Sequence, residues 1–115
     1  MKIKGKAFVS GPYSAATPEG VAANVAAAVK VAQDLTKLGW VVICPNFQLN
    51  PLAELQGYDF WLEAALLLLG DCDIMVMVPG WEVSSGAKRE RARALVLRVP
   101  MFETIQEVED FSGRK

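Results

Sequence analysis

Residues 73–97 read DIMVMVPGWEVSSGAKRERARALVL, and this stretch decides the fold. Ile74 to Val78 is an unbroken apolar run of strand-forming length, and Pro79-Gly80 cannot continue a central strand. After Trp81-Glu82-Val83, the group Ser84-Ser85-Gly86 is a helix cap, and the helix it opens runs to about Leu97. A buried strand that passes through a Pro-Gly loop into a serine-capped helix is one strand–helix unit of an α/β sheet.

The same unit recurs outward in both directions. Lys6 to Ser10 reads as a short strand stopped by Gly11-Pro12, and Thr17-Pro18-Glu19 starts a helix with Thr17 as N-cap and Pro18 in the first turn. That helix reaches Leu38 before Gly39, with an inward stripe through Val21, Asn24, Val25, Ala28, Val31, Ala32 and Leu35, of which Asn24 alone is polar. Trp40 to Cys44 reads as a strand buried on both faces, ended by Pro45-Asn46, with a loop to about Gly57. Tyr58 to Leu69 is a helix apolar almost all round, which places it at a subunit interface and predicts a homo-oligomer. Val99 to Phe102 is a fourth strand, Thr104 starts a last helix, and the tail Ser112–Lys115 is read as loose. Right-handed crossovers then predict an open parallel sheet of four to five strands, most simply in the order 2-1-3-4, between helical layers in a flavodoxin/Rossmann-like arrangement. The order reverses beside strand one, so the loops after Val9, Cys44 and Val78 should meet where such sheets bind ligands.

Composition narrows the chemistry. A chain of 115 residues with 52 % hydrophobic content suits one domain with one core. The net charge of −1 supplies no general attraction for nucleic acid or anionic lipid. No apolar run approaches the roughly 20 residues of a bilayer span, and Met1–Lys6 has no signal-peptide core, so a cytoplasmic protein is expected. Histidine is absent, which excludes Ser-His-Asp and Cys-His catalysis and histidine-ligated metal. Cys44 and Cys72 form no CxxC pattern and read as reduced core residues; neither a metal nor a cofactor is expected.

Carboxylates, hydroxyls and backbone must therefore carry any chemistry. Ala87, Glu90, Ala94 and Leu97 share one stripe of their helix, so Glu90 is an acid on an inward face below the switch-point loop. Such a carboxylate can serve as nucleophile or base; the alternative is a salt bridge to Arg91 or Arg93. Ser84, Ser85 and Gly86 can cap the helix, bind an anion, or do both. Ser10-Gly11-Pro12-Tyr13 lacks the dinucleotide and P-loop fingerprints; Tyr13 either stacks on a ligand ring or is a surface aromatic. Tyr58, Asp59 and Trp61 put a carboxylate beside aromatic surface suited to a flat base, although Asp59 can equally serve the helix dipole. Gly80 and Trp81 complete the candidate binding set, and Lys88-Arg89-Arg91-Arg93 is a solvated face or a phosphate contact.

Three segments, SGPYS after strand one, GYDFWLEAALLLLGDCD before strand three and PGWEVSSGAKRE after it, together resemble the nucleoside 2-deoxyribosyltransferase-like superfamily, particularly its small undescribed bacterial and phage members. The resemblance spans nearly the whole chain and ends with VPMFETIQEV. The shared serine-x-glycine-x3-glutamate signature is met by Ser84, Gly86 and Glu90. By that resemblance Glu90 is the nucleophile that attacks the anomeric carbon of a 2-deoxyribonucleoside or its 5′-monophosphate. Ser84 then holds sugar or phosphate, and Ser10 to Tyr13 line the sugar side. Phe8 stands where relatives commonly have a tyrosine, and Ala65 where many have an aspartate; proton delivery to the leaving base then falls to Asp59, Glu63 or Glu82. The resemblance thus implies an N-glycosidic-bond enzyme, with a non-catalytic nucleoside or nucleotide sensor or scavenger as the alternative.

Overall fold

In the computed structural model, which describes residues 2–48 and 50–113, alternation along two central strands sorts the core into two halves. These strands are β1 (Gly5–Ser10) and β3 (Ile74–Met77), flanked by β2 (Trp40–Ile43) and β4 (Met101–Phe102). Ala7, Val9, Ile74, Val76 and Val78 face one way, packing with Ala28 and Leu35 of α1 (Pro18–Lys37) and Val108 of α5 (Ile105–Gly113). Phe8, Met75 and Met77 face the other way, against Ala65 and Leu69 of α3 (Tyr58–Leu69) and Ala87 and Ala94 of α4 (Ser85–Leu97). The period of two along a strand buried on both faces produces this three-layer sandwich.

All strand pairs are parallel and the order is β2-β1-β3-β4, as the strand–helix alternation predicts. The helix starts also follow their capping residues. The Thr17 hydroxyl accepts from Gly20 N–H at 3.1 Å, and the Ser84 hydroxyl accepts from Ala87 N–H at 3.1 Å. At the last helix the Thr104 hydroxyl accepts from Glu107 N–H, while the Glu107 carboxylate accepts from the Thr104 hydroxyl and from Glu103 N–H.

Three sequence readings need correction. Strand β2 is not buried on both faces; it is the sheet edge, and Val41 is 43 % exposed. The segment after it is not a plain loop. Pro45–Gln48 forms a helical turn, α2, and Asn50–Leu55 a 3-10 turn, because the Cys44 carbonyl accepts from both Phe47 and Gln48 N–H. Helix α3 presents Ala65 and Leu69 to the sheet and carries Phe60 and Leu67 exposed on the surface of this chain, Leu67 at 75 % exposure. Of the tail read as loose, Ser112 and Gly113 continue α5, while Arg114 and Lys115 lie outside the described residues.

The short helical turn has a specific role. The Gln48 side chain accepts from Cys44 N–H at 2.6 Å and donates to the Val42 carbonyl at 2.9 Å. Val42 and Cys44 lie two residues apart and so direct their backbone groups to the same side, the open edge of the sheet where Gln48 meets them. The carboxamide is chemically a peptide group, and here it occupies the place of a fifth strand. An edge satisfied in this way offers less template for pairing with another chain. Among the described residues, no helix is long and apolar enough to cross a membrane.

Candidate active site

Helix α4 brings its second-turn face against the carboxyl end of β1. Ser10, the last residue of β1, points to the α3/α4 side, as does Phe8 two residues earlier. Its hydroxyl is 1 % exposed and donates to Glu90 Oε1 at 2.5 Å, a short charge-assisted contact between residues far apart in sequence. Burial pushes the Glu90 carboxyl up to about 7 from its ordinary 4.5, and the Ser10 hydrogen bond opposes that rise. No ion pair to Arg91 or Arg93 forms: the guanidinium of Arg91 instead lies 5.0 Å over the Trp81 ring.

Glu90 opens into a cavity of about 640 Å³ at the switch point. Sites for drug-sized ligands run about 300–1,000 Å³. The loops after β1, β2 and β3 converge here through Gly11–Ser14, Pro45-Asn46 and Pro79-Gly80, as the strand order predicts. The beginnings of α3 and α4 supply the remaining walls, with Tyr58, Trp61, Leu62 and Ala65 opposite Ser84, Ser85, Gly86 and Glu90. Trp61 spends its indole N–H on the Ala53 carbonyl at 2.9 Å and stands edge-on to Phe60, so only its ring surface is left for the cavity.

The loop after β1 has no regular structure, and two asparagine amides hold it. Asn24 of α1 donates to the Tyr13 carbonyl at 3.1 Å, and Asn46 of α2 donates to the Gly11 carbonyl at 3.0 Å. Gly11 itself is required by close packing, since a Cβ there would stand 2.5 Å from the Val78 Cβ. Gly80, at φ +91°, turns the loop after β3 through the left-handed region.

Most of the residues chosen from sequence come together here: Gly11, Pro12, Tyr13, Asn24, Tyr58, Trp61, Gly80, Ser84, Ser85, Gly86 and Glu90 all line the cavity. Ser10 lies beneath it, reaching it only through Glu90. Two chosen residues are elsewhere. Asp59 is exposed on the outer side of α3, one residue along from the inward Tyr58. Trp81 turns away, donating to Glu103 at 3.3 Å and packing beside Met101, so it anchors the loop instead of contacting a ligand. Of the other acids considered for proton delivery, Glu63 and Glu82 are exposed and outside the lining.

Asn46 is the main residue that sequence reading missed as part of the site. It was legible only as a strand terminator, although its place directly after β2 at the switch point is the signal that could have found it. Cys44 beside it is buried, and that burial, with a further contribution from the nearby Glu90 charge, pushes its thiol up to about 12, which favours the protonated form. Among the described residues, no cluster of cysteines and acids could hold a metal ion.

The parallel sheet and the carboxylate-floored cavity at its switch point define a small α/β domain of a fold class that hosts many chemistries. Residues 6–103 match the family described as Domain of unknown function (DUF4406), and the chain belongs to that family. No curated protein matches it.

Proposed function

We propose that this protein cleaves or transfers the N-glycosidic bond of a nucleoside or nucleotide, with Glu90 as nucleophile. The observation that carries the reading is Glu90 itself, a carboxylate held by the Ser10 hydroxyl and facing a ligand-sized cavity with aromatic walls. The resemblance to the nucleoside 2-deoxyribosyltransferase-like superfamily, through Ser84, Gly86 and Glu90, supports the same assignment. Glu90 in its ionised form attacks the anomeric carbon. The bond to the base breaks, and the base departs with the electron pair and takes a proton from water. The glycosyl ester on Glu90 is then opened by water or by a second base, which restores the carboxylate.

A second reading, binding without turnover, is favoured by one specific observation: among the described lining residues Glu90 is the sole acid, with Ala65 in the wall opposite. Incubation with deoxynucleosides and deoxynucleotides plus a competing free base separates the two readings. Base release or exchange that is lost in Glu90→Gln supports the enzyme; undiminished activity in Glu90→Gln removes the nucleophile assignment. Ligand-induced stabilisation without turnover selects the binding protein.

Self-association through α3 is part of the same proposal. Phe60 and Leu67 form an exposed apolar stripe with the acid Glu63 between them, and the parallel neighbour α4 exposes Arg89, Arg93 and Val96. Two copies related by a twofold axis would set acidic α3 against basic α4. Light scattering on Leu67→Glu should report a monomer where the native chain is a dimer.

A further inference from the structure

We infer that the cavity takes the uncharged nucleoside in preference to its 5′-phosphate; this rests on the glycosidic reading above and narrows its substrate class. Among the described lining residues there is no lysine or arginine, and the one acidic side chain is Glu90. The other polar side chains of the wall are neutral, among them the hydroxyls of Ser14, Ser84 and Ser85 and the carboxamides of Asn46 and Gln56. These match sugar hydroxyls and the edges of a base, which both donate and accept. A phosphate dianion asks for guanidinium, ammonium or several free N–H groups.

The basic residues nearest in sequence do not meet that need. Lys88 and Arg89 are exposed on the outer face of α4, outside the lining, and Arg91 is committed to the Trp81 ring. The start of α4 is also partly spent, because the Ser84 hydroxyl already accepts from Ala87 N–H. A dianion in this cavity would also face the Glu90 carboxylate, a like charge that repels it when ionised.

Titration calorimetry at low salt tests this with the four 2′-deoxynucleosides and their four 5′-monophosphates, on the native chain and on Glu90→Gln, with inorganic phosphate as competitor. The expected result is at least tenfold weaker binding of the monophosphate in every pair that binds. Glu90→Gln should narrow that ratio, and inorganic phosphate should leave the bound nucleoside in place. A monophosphate that binds as tightly as its nucleoside, or displacement by inorganic phosphate, overturns the inference and leaves the glycosidic reading standing. Failure of both series to bind, with no base released from either, overturns both.

Discussion

Replacing Glu90 by glutamine should stabilise the protein, and by an amount that depends on pH in a defined direction. The folded state holds the Glu90 proton up to about pH 7, whereas the unfolded chain releases it near 4.5. Between those values the folded state binds more protons, so stability falls as pH rises through this window and the loss is complete above it. At ~1.4 kcal/mol per pH unit, the full interval corresponds to roughly 3 kcal/mol. Glutamine has the shape of the protonated acid, still accepts from the Ser10 hydroxyl, and carries no charge to desolvate. Near pH 4 the two proteins should therefore unfold at the same denaturant concentration. At pH 8 Glu90→Gln should be more stable by up to roughly 3 kcal/mol, or roughly 10 °C in Tm for a domain of this size. Urea titrations at four pH values, with m-values compared to confirm two-state unfolding, measure the difference. Two curves separated by a constant amount at every pH, or a variant less stable at pH 8, would refute the argument that burial of the charge is what raises Glu90. The expected pH-dependent gain would instead mark the native residue as a carboxylate kept at a cost in stability, as sites retained for chemistry often are.

Three further outcomes follow from the same geometry. Ser10→Ala removes the one contact that favours the ionised form of Glu90, so the rising limb of a pH–rate profile, expected near 7 in the native chain, should move to higher pH, and a profile left in place would separate Ser10 from the chemistry. Gly11→Ala drives a Cβ to 2.5 Å from the Val78 Cβ, and overpacking of this kind costs about 1–3 kcal/mol; native stability in denaturant would show that the loop yields freely. Gln48→Ala strips the β2 edge of two hydrogen bonds and should cost about 1–2 kcal/mol, with concentration-dependent association as the second readout; an unchanged midpoint and a monodisperse sample would disprove the edge role.

Much of the architecture was legible because its causes are local or follow from handedness. Period-two apolar runs at Phe8 and Met75, hydroxyl caps at Thr17, Ser84 and Thr104, and right-handed crossovers lead to a parallel 2-1-3-4 sheet without any distant contact being known. Helical spacing alone put Glu90 on the inward side of α4. The misreadings share a different origin. Trp40–Ile43 has the apolar composition of a strand covered on both faces, yet Val41 stays exposed, since the packing of the layers, not composition, decides which face of an edge strand is covered. Trp81 and Asp59 sit beside true lining residues, and neighbours on a helix or tight turn point in different directions.

The sequence by itself determined the elements, their order and the end of the sheet where the cavity opens, because propensity, capping and chirality act within a few residues or on every crossover alike. Only the tertiary structure decided that Ser10 meets Glu90, that Gln48 closes the sheet edge and that Asn46 braces the site loop. Those contacts depend on which side chains converge once the layers are packed, and no local periodicity encodes that convergence.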